Sequence, residues 1–113
     1  MGRRISIGMG IDFDSDTREH DILRDIDIAE VPWSLPNGWT LETYGYQDDF
    51  AYIVVHSSFK SQDYAESWPG YTLSYEELKD IMEWQTKVLG TSREPEIIAV
   101  SYTHLRAHET TSH

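Results

Sequence analysis

The chain contains no cysteine, which excludes a disulfide framework and any thiolate-bound metal. Basic residues are scarce: nine Lys and Arg stand against twenty Asp and Glu, for a net charge of −11 at pH 7. Such a balance repels phosphate backbones, argues against direct contact with nucleic acid, and favours a solvated surface. Long apolar runs are missing too. No stretch approaches the ~20 residues needed to span a bilayer, and the first residues lack the apolar core of a signal peptide, so a soluble cytoplasmic protein is expected. Aromatic residues, in contrast, make up 12% of the chain, more than a disordered acidic segment carries. The length suits one small domain with a modest core.

Arg4 to Phe13 alternates, with Ile5, Ile7, Met9, Ile11 and Phe13 on one side and Ser6, Gly8, Gly10 and Asp12 on the other. That is the period of a half-buried strand. Asp16 followed by Glu19 resembles a capping pair, and Ile22, Leu23, Ile26 and Ala29 recur at helical spacing, which predicts a helix over Thr17 to Glu30. The alternation Asp25-Ile26-Asp27-Ile28 competes with it. Pro32, Pro36 and Asn37-Gly38 mark a turn-rich connection. Trp39 to Tyr46 and Phe50 to Phe59 then form a predicted hairpin around the polar turn Gln47-Asp48-Asp49. Ser57 to Gly70 reads as a polar loop. Ser74 and Glu77 make a capping box, Leu73 and Leu78 occupy the staple positions, and Gly90 stands where a helix C-terminus wants glycine. Leu78, Ile81, Met82, Val88 and Leu89 form the apolar stripe between them, interrupted by Gln85. Glu96 begins a last strand.

The order of elements predicts an α+β fold: a small antiparallel sheet with one or two helices on one face, in the ferredoxin-like βαββαβ order. The pieces Arg4 to Phe13, Trp39 to Phe59, Ser74 to Leu89 and Pro95 to Ala99 give the body an architectural resemblance to small uncharacterised proteins of tailed phages. That resemblance transfers no functional residue. From Val100 to Thr110 the chain resembles the conceptual translation of a transposon-end adapter used in tagmentation sequencing libraries. The expectation is therefore a single domain over residues 1–99, truncated at its C-terminus, and a non-native tail over 100–113. A strand through Glu96 to Tyr102 is expected by accident of pattern, followed by an exposed tail in which a helical turn over Leu105 to Glu109 is allowed. His104, His108 and His113 fall in that tail, so their metal-like spacing carries no weight.

Few constellations suggest chemistry. Asp12, Asp14 and Asp16 have the alternate spacing of a calcium loop, but Thr17 stands where that loop needs Gly and Leu23 where it needs a bidentate Glu. Gly8-Met9-Gly10 is followed by neither a phosphate-loop ending nor a complete dinucleotide motif. His56 and Ser57 are adjacent and point to opposite faces of a strand, while Ser58 shares the face of His56 without a surrounding motif. No catalytic residue, metal or cofactor is assigned.

If the hairpin turn has three residues, Tyr46 pairs with Phe50 and one face of the sheet collects Tyr44, Tyr46, Phe50 and Tyr52, edged by Glu42 and His56. Trp39, Leu41, Ala51, Ile53 and Val55 then point the other way, into the core. An aromatic open face predicts a contact surface. The first reading is accordingly a small acidic binding or accessory protein that meets a protein partner through those six residues. A second is an inhibitor mimicking nucleic acid through Asp12, Asp14, Asp16, Asp21, Asp25 and Asp27, directed at a basic protein. A third is a small-molecule enzyme using His56 with Glu42 as an acid–base pair.

Overall fold

The structure is a computed structural model, and it describes residues 4–46, 49–63, 72–101 and 105–107. Six strands and two helices follow in the order β1 (Arg4–Phe13), α1 (Arg18–Ile28), β2 (Trp39–Tyr46), β3 (Asp49–His56), β4 (Lys60–Asp63), α2 (Tyr75–Val88), β5 (Glu96–Ser101) and β6 (Leu105–Ala107). The fold is α+β. All strand pairings are antiparallel, and β1 is the hub: β5 lies along one side of it, β3 and β4 along the other, and β2 and then β6 follow beyond β3. The strands β4 and β6 are additions to the expected βαββαβ order.

β3 and β4 form one line broken by a bulge. Gly10 pairs with Val55 and Ile7 with Lys60, so four residues from His56 to Phe59 stand opposite only Gly8 and Met9. The surplus loops over Gly8, where a Cβ would collide with the backbone of Phe59. The expected continuation of β3 to Phe59 stops at His56 for this reason.

Both helices cover one face of the sheet. Ile11, Phe13, Trp39, Leu41, Tyr52 and Val54 meet Leu23 of α1 and Ile81, Trp84 and Leu89 of the α2 region in the main core. On the opposite face Ile53, Val55 and Val100 form a second buried cluster, with Tyr44, Phe59 and Ile98 packed against it. β3 is therefore buried on both sides.

α2 begins as expected. The Ser74 hydroxyl accepts the Glu77 amide at 3.1 Å while the Glu77 carboxylate accepts the Ser74 amide at 3.1 Å. It closes with Gly90 at φ +71. Gln85, which breaks the apolar stripe, is fully buried and satisfied: its amide donates to the Arg93 carbonyl at 2.8 Å and accepts the Arg93 amide at 3.0 Å, pinning the α2–β5 connection. The start of α1 differs from expectation. Its cap is Thr17, whose hydroxyl accepts the His20 amide, and the Asp16–Glu19 pair plays no such part. The Thr17 amide and hydroxyl also bond the Asp14 carbonyl, a turn that places Thr17, not Asp16, at the helix entrance.

The C-terminal segment meets expectation in its strand and departs from it beyond. β5 spans Glu96–Ser101, and Val100 is buried; Tyr102 lies outside the described residues. In place of the allowed helical turn, Leu105–Ala107 is extended and pairs with Glu42–Tyr44 of β2. Without it the outer edge of β2 would present unpaired backbone groups, which an added strand satisfies. The side chains of this strand, and so the expected exposure of the tail, lie outside the described residues.

Candidate functional site

The expected aromatic face is not formed. Tyr46 pairs with Asp49, Gly45 with Phe50 and Thr43 with Tyr52, so the hairpin is one residue out of the assumed register. Asp49, taken for a turn residue, is the first residue of β3, and only Gln47 and Asp48 stand between paired positions. Two-residue connections are the commonest in hairpins, and a slip of one residue sends every side chain of one strand to the other face. Phe50, Tyr52 and His56 consequently lie with Trp39 and Leu41 on the helix side. Glu42 and Tyr44 lie on the far side with Ala51, Ile53 and Val55. The side chain of Tyr46 lies outside the described residues.

On the helix side the aromatics hold a histidine that the expected site did not include. His20 is buried, with its ring 5.1 Å from Phe50 and 4.9 Å from Tyr52. Its Nε2 stands 3.0 Å from the Phe50 carbonyl, which can only accept, so the proton sits on Nε2. The Tyr52 hydroxyl donates to the Asp27 carboxylate at 3.0 Å, and burial followed by that bond pushes the phenol pKa upward. These contacts fasten α1 to β3.

His56 forms a pair with Glu77 of α2, not with Glu42, which is separated from it by the sheet. The Ser58 amide donates to His56 Nδ1 at 3.2 Å, which leaves the ring proton on Nε2, and Nε2 donates to Glu77 Oε2 at 2.7 Å. The Ser58 hydroxyl is 3.0 Å from the same Nδ1. A hydroxyl, an imidazole and a carboxylate thus stand in the sequence of a nucleophilic relay. Two features oppose that chemistry. Proton uptake at Nδ1 would set it against the Ser58 amide. The amides at the turn are also committed, Ser57 to the Gly38 carbonyl at 2.9 Å and Phe59 to the His56 carbonyl at 2.8 Å, so neither of these two is open to an oxyanion. The arrangement is a clamp joining the end of β3 to the capping box of α2. The His56 hydrogen bond, and after it the Ser74 amide, hold the Glu77 carboxyl below its ordinary range.

Tyr44 and Phe50 do share one opening, a cavity of about 350 Å³ at the hairpin end that is also lined by Asp14, Ser15, Asp16 and Asp49. The Ser15 hydroxyl donates to Asp49 at 2.7 Å and closes one side of it. Behind it the Tyr44 hydroxyl donates to Asp12 at 2.6 Å. Burial is the main cause that raises the Asp12 pKa; the Tyr44 bond opposes it, the nearby Asp14 carboxylate adds to it, and Arg93 lowers it. The Tyr44 phenol is likewise pushed up, first by burial and then by its bond to Asp12. Among the described residues no group of three or more His, Asp or Glu is arranged to hold a metal ion, and no helix is long and apolar enough to cross a membrane.

From this mouth an acidic surface runs the length of α1. Asp14, Asp16, Asp21, Asp25 and Glu30 are exposed, and the cations on the helix are Arg18, which donates to the Leu89 carbonyl at 3.1 Å, and Arg24, 3.5 Å from Asp21. The helix ends in a Schellman turn: the Val31 amide bonds the Ile26 carbonyl at 3.2 Å, and the Glu30 amide bonds that of Asp27 at 3.1 Å. The left-handed residue of that turn is Glu30, at φ 58, where glycine is usual. Ile28 is 73% exposed, and Val31, 52% exposed, lines a hollow of about 280 Å³ together with Asp27, Glu30, Pro32 and Trp33. Sequence reasoning placed the carboxylates but missed this apolar corner. The available signal was the lack of any basic residue in the last turn of α1. No known protein family matches the chain, and neither a characterised protein nor a solved structure does.

Proposed function

We propose that this chain is a small acidic binding protein whose partner is a basic protein surface, met through α1 and the turn that precedes it. The observation that carries the reading is the set of exposed carboxylates on α1 (Asp21, Asp25), in the turn before it (Asp14, Asp16) and just past its C-terminus (Glu30), within a chain of net charge −11. Complementary charge accelerates encounter and selects against partners of like sign. The hairpin register supports α1 over the sheet face as the contact, because the sheet aromatics are divided between two faces. Mimicry of nucleic acid draws on four of these carboxylates, Asp14, Asp16, Asp21 and Asp25, and differs in the partner, a basic cleft that binds nucleic acid. Asp12 and Asp27, expected to share in it, accept the Tyr44 and Tyr52 hydroxyls instead.

The test compares charge at two places. Binding of a labelled oligolysine peptide is measured over a range of salt for a variant with Asp14, Asp21 and Asp25 changed to Asn. It is compared with one in which Glu76, Asp80 and Glu83 of α2 are neutralised equally. The reading expects both affinity and salt dependence to fall more in the α1 variant. Equal losses in the two variants would mean that net charge alone acts and that α1 is no contact surface.

A further inference from the structure

We infer that the C-terminal corner of α1 docks a basic, amphipathic segment of a partner protein, with an apolar side chain of that segment seated on Ile28 and Val31. This rests on the acidic contact proposed above and gives it a location and a second chemical requirement.

Ile28 and Val31 bracket the Schellman turn, three residues apart, and are two of the four large apolar side chains left mostly in water among the described residues. Val31 continues into the shallow hollow with Pro32 and Trp33, which has room for one more side chain of similar size. An apolar patch of this kind accepts an apolar anchor.

Charge decides which occupant fits. Asp27 and Glu30 line the hollow and exposed Asp25 lies in the last turn of α1, at the end of the helix where the aligned peptide dipoles already concentrate negative potential. Arg24, one turn earlier, leans toward Asp21. A segment with Lys or Arg on either side of its anchor would oppose both the carboxylates and the dipole, and a neutral apolar segment would leave them unopposed. A second copy of this chain is disfavoured, since two bodies of net charge −11 repel.

The experiment titrates the whole chain, by fluorescence anisotropy, with a labelled Lys-Lys-Leu-Leu-Lys-Lys peptide and with the same peptide carrying Ser in place of Leu. The leucine peptide is expected to bind about tenfold more tightly. The double variant Ile28→Ser/Val31→Ser removes that preference and keeps the salt-dependent binding of both peptides. Asp25→Asn/Glu30→Gln weakens both peptides together. Ile28→Lys, which retains helix propensity, repels both, and circular dichroism confirms that each variant is folded. Equal affinity of the two peptides, or a preference that survives in Ile28→Ser/Val31→Ser, overturns the docking site and leaves the acidic contact standing. Absence of salt-dependent binding by either peptide removes the acidic contact and the docking site with it.

Discussion

The two helices pack on the same face of one sheet and are built by opposite rules. α2 agrees with itself at every level: a complete capping box, Glu76 and Glu77 in the first turn, Lys87 in the last, and Gly90 in the left-handed position beyond it. Its C-terminal carbonyls even receive Arg18 from α1, which donates to Leu89. α1 has no cation in its last turn, Glu30 where glycine belongs, and Ile28 in water. It is held by tertiary contacts instead: buried Leu23, the His20 bond to Phe50, and the Asp27 bond from Tyr52. A helix consistent with its fold needs no other explanation than stability. One that departs from local rules at a single corner, while its other end is well capped, points to a use for that corner.

The contrast can be broken most forcefully in the core. Leu23 is the one fully buried apolar side chain of α1, whereas α2 and its cap share burial among Ile81, Trp84 and Leu89. Leu23→Ala is expected to cost about 2–5 kcal/mol in urea denaturation. Amide hydrogen exchange in α1 should accelerate ahead of that in α2, and uniform acceleration of both helices would contradict the distinction.

At the two C-termini, equivalent positions should respond with opposite signs. Gly90→Ala introduces a Cβ at φ +71, where the nearest heavy atom is the Arg18 guanidinium at 3.5 Å, so its cost is conformational rather than steric. It should destabilise by about 1 kcal/mol, and Glu30→Gly should stabilise by about 1 kcal/mol. Thermal melts of the two variants check this. A loss of stability in Glu30→Gly would show that the carboxylate there contributes to the fold.

The entrances to the helices give a smaller contrast, in pH dependence. Glu77 has its pKa lowered from the ordinary 4.5, so its contribution is present above that value and is lost as pH falls through the depressed pKa. Asp12, just before the turn into α1, has its pKa raised from 3.8, and stability is lost as pH rises through the raised value. Glu77→Gln, which retains the capping box, should therefore weaken the protein near neutral pH and have little effect in acid. Asp12→Asn should strengthen it near neutral pH with the gain vanishing below about pH 4. Urea denaturation at a series of pH values reads both; parallel curves for the two variants would contradict the assignment.

The parts of the fold legible in the sequence are those where one physical signal acts alone. β1 alternates because one of its sides meets the helices, and its bounds, Arg4 to Phe13, follow from that alternation. Ser74 and Glu77 announce α2 because a capping box is local. The hairpin register was not legible because residues Ala51 to His56 are all buried, three on each face, and a strand buried on both sides has no alternation to betray which residue points where. Asp49 compounded the error, since a charged residue beside Gln47 and Asp48 reads as loop although it pairs with Tyr46. The Glu77 partner of His56 was out of reach for a different reason. Nothing in the local sequence says that a capping-box carboxylate will also meet a strand end twenty-one positions earlier.

The most direct measurement is an amide NMR titration of the full chain with the Lys-Lys-Leu-Leu-Lys-Lys peptide. The account predicts shifts that follow the exposed face of α1 and are largest at Ile28, Ala29 and Val31, with α2 and the far face of the sheet unmoved. Largest shifts in α2, or on Glu42 and Tyr44 of the far sheet face, would contradict it.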